Sequence, residues 1–206
     1  MTETAGQKKS SSTETRFSMT KKGHAETFKK AVKQGKADKA FIPLCSFVAK
    51  TKNFFTSSCC AGRILLLELG EDEKKLGSNF HRKWHRQVKL EEAWKALEEP
   101  VKGELWFKME PLILHLGTNT LENANLALET MKRAGVKRGG IIVAKPGKFL
   151  FEIEGTQRIS VPVKSNGKIL IEKKFLEFLV KNANAKMKKN SLAIKRLEKE
   201  LKKVLK

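Results

Sequence analysis

The stretch from Pro111 to Val143 constrains the fold of this chain most. Pro111-Leu112-Ile113-Leu114-His115-Leu116 is a short apolar run with strand character, and Ile141-Ile142-Val143 is another. Between them the spacing predicts an amphipathic helix. Asn119 is placed to cap it, Glu122 follows three residues later, Gly135 closes it, and Leu121, Ala124, Leu128 and Met131 recur at helical intervals. A strand-helix-strand unit of this kind implies a right-handed crossover and an α/β chain.

The flanking pattern agrees. Ala25, Phe28, Ala31 and Val32 predict a helix over 21–35, ended at Gly35. A second helix is expected over about 38–51, capped by Asp38, with Pro43 in its first turn and Cys45, Phe47 and Val48 on its core face. Ile64 to Leu69 reads as a buried strand, and a charged turn is expected from Gly70 to Ser78. Residues 90–98 read as a short helix, Leu105-Trp106-Phe107 and 149–153 as strands, and 159–163 with 168–171 as a hairpin about Ser165-Asn166-Gly167. From Glu172 onward Leu176, Val180, Ala183, Met187, Ile194, Leu197, Leu201 and Val204 follow a seven-residue repeat, with Asn190 as its one polar break. Its surface is crowded with Lys, which suits a basic arm toward RNA, a solvated tail or a partner helix. Residues 1–20, with few apolar anchors, are expected to be disordered. The expected architecture is an α/β class fold, an α+β mixed sheet in a single compact domain over 21–172, followed by a long basic C-terminal helix over 173–206 that packs on it.

Charge bounds the partners. Among 206 residues, 43 are Lys or Arg and 22 Asp or Glu, a net charge of +21. Such an excess points to a polyanion, with nucleic acid first and an anionic membrane surface or a ribosome as alternatives. The three cysteines, Cys45, Cys59 and Cys60, are odd in number and fit no zinc spacing, and vicinal cysteines suit a reducing compartment. No apolar stretch reaches the length of a membrane span and the N-terminus lacks an apolar signal core, so a cytoplasmic protein is expected. No metal-ligand spacing, Walker lysine loop, Gly-x-Gly-x-x-Gly fingerprint or Ser-His-Asp spacing is present.

Several residues carry candidate chemistry. Phe54-Phe55-Thr56-Ser57-Ser58-Cys59-Cys60-Ala61-Gly62-Arg63 reads as a polar loop entering a strand. Its small side chains let a ligand approach the backbone, Gly62 can take positive φ, and Arg63 offers a fork of donors to a carboxylate or phosphate. Trp84-His85-Arg86 is either a basic, aromatic base-stacking loop or a core Trp with charged neighbours. His115 is either a satisfied core histidine or a catalyst. Arg138-Gly139-Gly140, like Arg158, is either a turn element or a close approach to a ligand's carboxylate or phosphate.

Aligned on Gly62-Arg63, the segment Ser58-Cys59-Cys60-Ala61-Gly62-Arg63 resembles the Ser-Ser-Cys-Ser/Ala-Gly-Arg signature of the tRNA wybutosine-synthesis methyltransferase family, with Cys59 at its second Ser. Lys83-Trp84-His85-Arg86, Leu105-Trp106-Phe107, Pro111 to His115, Ala134 to Arg138 with Gly140-Ile141, Gly155-Thr156-Gln157-Arg158-Ile159 and Asn182-Ala183-Asn184 resemble further family elements in the same order. The likeness covers about residues 28–190. It implies an S-adenosylmethionine-dependent methyltransferase acting on N4 of a wyosine-type tricyclic guanosine derivative at position 37 of tRNA-Phe. It also implies a mixed α/β fold other than the dinucleotide-type (Rossmann) methyltransferase sheet. On that reading Ser57, Ser58, Gly62, Arg63 and Arg138 hold the cofactor. His85 or His115 takes the proton, and Ser58 is the third catalytic candidate. Phe54, Phe55 or Trp84 stacks on the base, and Arg86 and Arg158 join them on the anticodon loop. The competing classes are a non-catalytic RNA-binding module and a ribosome-associated structural protein.

Overall fold

The computed structural model describes residues 5–70 and 78–205. In chain order its elements are α1 (Ala5–Lys33), α2 (Ile42–Lys50), β1 (Phe54–Cys60), β2 (Arg63–Leu69), β3 (Asn79–Trp84), α3 (Leu90–Glu98) and β4 (Glu104–Glu110). There follow β5 (Ile113–Thr118), α4 (Leu121–Arg133), β6 (Arg138–Lys145), β7 (Lys148–Glu154), β8 (Ile159–Ser165), β9 (Lys168–Ile169) and α5 (Lys173–Val204). The class is α+β, and each sheet pairing among the described residues is antiparallel. The chain divides into two compact units. One comprises Met1–Cys60, Ile113–Gly155 and Ala193–Lys206, the other Ala61–Leu112 and Thr156–Leu192.

The first unit holds a four-stranded sheet in the order β1-β5-β7-β6. The strand-helix-strand unit read from the sequence is present as β5-α4-β6, with β7 inserted between its two strands. Leu114, Leu116, Phe151 and Ile153 alternate onto one face and are fully buried. Helix α4 packs there through Ala124, Ala127 and Met131, all at zero exposure. Its cap is Thr120, whose side chain accepts from the Asn123 amide; Asn119, expected at that place, instead bonds the side chains of Asn53 and Asn123.

Helix α1 corrects the disorder expected over 1–20, since it runs from Ala5; residues 1–4 lie outside the described ones, as do 71–77 of the expected charged turn. One aromatic and one lysine anchor it. Phe17 is buried with its ring 5.8 Å from that of Phe55, and His24 stacks on Phe55 at 4.8 Å. The Lys21 ammonium donates to the carbonyls of Ala49 (3.0 Å) and Phe54 (2.8 Å), so it caps the carbonyl end of α2. Burial pulls the pKa of Lys21 down. Pro43 sits in the first turn of α2, as its missing N–H requires.

The second unit holds a five-stranded sheet in the order β3-β2-β4-β8-β9. Ile64, Leu66, Phe107, Met109 and Val163 pack with Ala93 and Leu97 of α3 and with Leu176, Val180, Ala183 and Met187 of α5. The polar loop expected at the start of the Phe54–Arg63 stretch is strand β1 (54–60), and the segment leading to Trp84-His85-Arg86 is strand β3 (79–84). Neither shows an alternation of buried and exposed side chains: Phe54 and Phe55 alone are buried in β1 and Trp84 alone in β3, so pairing with β5 and β2 rather than a local period makes them strands. No helix among the described residues is long and apolar enough to cross a membrane.

The Phe55 ring lies across Gly117, its partner on β5; a Cβ at Gly117 would stand 2.1 Å from that ring. Gly117→Ala is therefore expected to lower unfolding stability by about 1–3 kcal/mol, the usual cost of overpacking, read by urea denaturation. Stability equal to wild type would show that the ring moves aside freely.

Candidate active site

The register of β5 builds the chief cluster. Ser58 on β1 pairs with His115 on β5, His115 pairs with Glu152 on β7, and Glu152 pairs with Gly140 on β6. The four lie in one row across the sheet, on the face opposite Leu114 and Leu116. Glu152 accepts from His115 Nε2 at 2.9 Å, and Ser58 Oγ meets Nδ1 at 2.6 Å. A carboxylate on Nε2 selects the tautomer with the proton there, so Nδ1 carries the lone pair and accepts from the serine hydroxyl. Ser58 is exposed, and the His115 side chain is 20% exposed. At the end of the row Gly140 leaves open space where a side chain would stand.

Two residues along each strand lies a parallel row on the same face. There Arg138 Nη2 stands 3.5 Å from Glu154. Ser58, His115 and Arg138, remote in sequence, thus share one polar sheet face. Ser57 is the bulge residue of β1 and lines a cavity of about 190 Å³ with His24, Asp38 and Thr56. A larger cavity of about 750 Å³ is lined by Glu14, Phe17, Lys21, Asn53 and Asn119, among others.

Cys59 points the other way. Its strand partner is the buried Leu114, and its Sγ lies 3.8 Å from Cys45 Sγ on α2. The contact with Cys45 and burial push the Cys59 thiol well above the ordinary thiol range, so it remains protonated.

The other candidates belong to the second unit. Gly62 has φ +95°, and a Cβ there would meet Asn190 Nδ2 at 2.3 Å and the Glu110 carbonyl at 2.7 Å, so only glycine fits. Asn190, the polar break of α5, is buried and donates to the Ala61 carbonyl at 3.2 Å. Arg63 Nε donates to Glu110 at 2.5 Å, and its guanidinium carbon lies 4.8 Å from the exposed Phe80 ring. His85 and Arg86 are exposed just after β3. Arg86 forks onto Glu92 at 2.5 and 2.9 Å, and this bond holds the Glu92 carboxyl below the usual range. Asn184 brackets Val88 through both its amide atoms, so the Ala183-Asn184 match positions the segment that follows His85 and Arg86. Arg158 is exposed on the approach to β8.

The base stacking expected of Phe54, Phe55 or Trp84 conflicts with their burial. Phe55 and Phe54 are 1% exposed and Trp84 is 7% exposed. Rings enclosed by protein have no face to offer a base, so the stacking role falls away for all three. Glu152 was missed, although its row completes the site. Phe151-Glu152-Ile153 alternates as any half-buried strand does, and nothing local says that β7 pairs with β5.

Residues 13–203 match the family described as Methyltransferase TYW3. The chain is 35% identical over 188 residues to the tRNA(Phe) 7-((3-amino-3-carboxypropyl)-4-demethylwyosine(37)-N(4))-methyltransferase 1 of Thermococcus kodakarensis, covering 91% of this chain and 95% of that one. It is 32% identical over 167 residues to the tRNA wybutosine-synthesizing protein 3 homolog of Danio rerio, 80% of this chain and 66% of that one. The solved structure of the PH1069 protein from Pyrococcus horikoshii superposes with a TM-score of 0.85 at 32% identity, over 91% of this chain and 97% of that one. Matches of this length, in sequence and in fold, show that the chain belongs to the TYW3 methyltransferase family.

Proposed function

We propose that this protein transfers a methyl group from S-adenosylmethionine to N4 of the wyosine-type tricyclic base at position 37 of tRNA(Phe), in the cytoplasm. The observation that carries this reading is the family match over residues 13–203, with relatives named for that reaction. A non-catalytic RNA-binding role would leave the Ser58, His115 and Glu152 row without a task.

When bound, S-adenosylmethionine would supply an electrophilic sulfonium methyl for N4, whose proton would then have to be taken up by the protein. Ser58 Oγ, exposed at the end of the row, would accept that proton as its own passes to His115 Nδ1. The Glu152 carboxylate on Nε2 would stabilise the resulting imidazolium. Most of the rate gain would come from positioning the two reactants.

The described residues fit an amino-acid end of the cofactor. Arg138 beside Glu154 and Arg63 beside Glu110 each set a guanidinium next to a carboxylate. Such a pair complements an α-carboxylate and an α-ammonium together. The relatives' substrate, by its printed name, also bears a 3-amino-3-carboxypropyl group. In this reading Ser57 and Ser58 of the first unit hold the cofactor with Arg138; Arg63 beside the Gly62 backbone is the corresponding candidate within the second unit. Arg86 and Arg158 contact the tRNA backbone.

Two tests follow the chemistry. His115→Ala is expected to lower the single-turnover methylation rate by roughly 10²–10⁴-fold with cofactor affinity retained, and Ser58→Ala to lower it less. An unchanged rate in both variants would remove the relay. Calorimetric titration with S-adenosylmethionine should show roughly 10- to 100-fold weaker binding for Arg63→Ala or Arg138→Ala, the scale of a charge-assisted hydrogen bond. Wild-type affinity in both would remove the clamp.

A further inference from the structure

The solvent face of the first half of α5 differs from that of an ordinary solvated helix. Leu176, Leu179, Val180, Ala183 and Met187 face the core of the second unit. On the outer side Phe175 is 43% and Phe178 59% exposed, with ring centroids 6.4 Å apart and planes within 20°. Single exposed apolar residues are common, but two adjacent exposed rings in near-parallel planes form a patch with a use.

The charge around the rings says what kind of partner they fit. Lys174, Phe178, Lys181, Ala185 and Lys188 follow one another at intervals of four and three residues, so they lie on one helical stripe, and all five are exposed. From Phe178 to Leu192 the chain carries Lys181, Lys186, Lys188 and Lys189 and no acidic residue; Glu172 and Glu177 lie before it. Beside the start of the stripe, Lys173 Nζ sits 5.9 Å from the ring of Trp94 on α3. From Lys174 to Lys188 the stripe runs about 21 Å, long enough to follow several consecutive phosphates. A membrane-seated helix would carry a continuous apolar stripe, whereas here Lys174 and Lys181 bound the two rings on either side.

We propose that this face is a single-strand RNA platform: Phe175 and Phe178 stack on unpaired bases while Lys174, Lys181 and Lys188 take the flanking phosphates. Resting on the methyltransferase reading, the RNA is the tRNA substrate, and the contact adds to that at the methylated nucleotide. Aromatic stacking tolerates any base, and lysine reads phosphate as a point charge. The platform therefore supplies affinity and orientation rather than sequence choice.

The test uses the full chain and a tRNA(Phe) transcript, with binding followed by fluorescence anisotropy across a salt series. Phe175→Leu/Phe178→Leu keeps apolar bulk and helix propensity but removes stacking. It should bind tRNA roughly tenfold or more weakly, with the salt slope unchanged. Phe175→Trp/Phe178→Trp should bind at least as well as wild type. Lys181→Gln/Lys188→Gln should reduce the slope of log K against log salt by about 1.5. Affinity for S-adenosylmethionine should stay at the wild-type value in all three. Wild-type tRNA affinity in the double-Leu variant would overturn the platform and leave the rings to a protein partner. If the wild-type chain binds tRNA and methylates none, yet the double-Leu variant still loses affinity, the platform stands and the enzymatic reading fails.

Discussion

Pairing of β5 between β1 and β7 is the constraint on which the proposed active site depends. The backbone ladder sets one residue opposite another, and strand alternation does the rest. In the observed register Leu114 and Leu116 enter the core while His115 meets Ser58 and Glu152 on the other face. A slip of one residue would bury the imidazole and expose both leucines, each of which gains roughly 1.5–3 kcal/mol from burial. Core packing therefore holds the polar row in line, and the row needs no stabilisation of its own. The Phe55 ring over Gly117 pins the same register at the far end of the strand.

Charge plays two roles in this chain. Part of the basic excess is structural. Lys21 caps the carbonyl end of α2, and the buried Lys164 donates to the carbonyls of Leu97 and Glu99 at the end of α3. Both act as point charges on helix C-termini, where the dipole favours a cation. Four arginines behave differently. Arg63, Arg82, Arg86 and Arg138 each face a carboxylate, which fixes the direction of the guanidinium. Exposed pairs of this kind add little stability. Their effect is to hold a rigid fork in a defined orientation, which a ligand carboxylate or phosphate can then meet without ordering the side chain first.

The sequence revealed elements whose period is local. Helices α2, α3 and α4, strands β2, β4, β5 and β7, and the hairpin at Asn166-Gly167 lie where apolar spacing and turn residues put them. Residues whose partner is distant stayed hidden. Asn190 stood out as a polar break, but its reason is a bond to a carbonyl 129 positions away. Phe54 and Phe55 were candidates for stacking on a base because they open a stretch that reads as a polar loop. Both are buried here because this end of β1 is covered on both faces. The first half of helix α1 was missed because Phe17 is a lone aromatic among Ser, Thr and Lys, and its ring partner Phe55 meets it only in the folded unit. His115 was legible as a residue and illegible as a site, since Ser58 and Glu152 lie 57 and 37 positions away.

The departure at Cys59 follows the same geometry. A thiol in place of the signature's second hydroxyl would matter if that side chain faced the row, because a thiol is a weak donor. It does not face the row. Ser58 and Cys59 are neighbours on one strand and point to opposite faces, and Cys59 packs toward Leu114 and Cys45. A small, adaptable, weakly polar side chain suits that half-buried place, and its raised pKa keeps it uncharged. The substitution therefore tunes the α2–β1 contact and leaves the Ser58, His115 and Glu152 chemistry intact. At Ser58, one residue earlier, the same change would remove the hydroxyl that meets His115 at 2.6 Å.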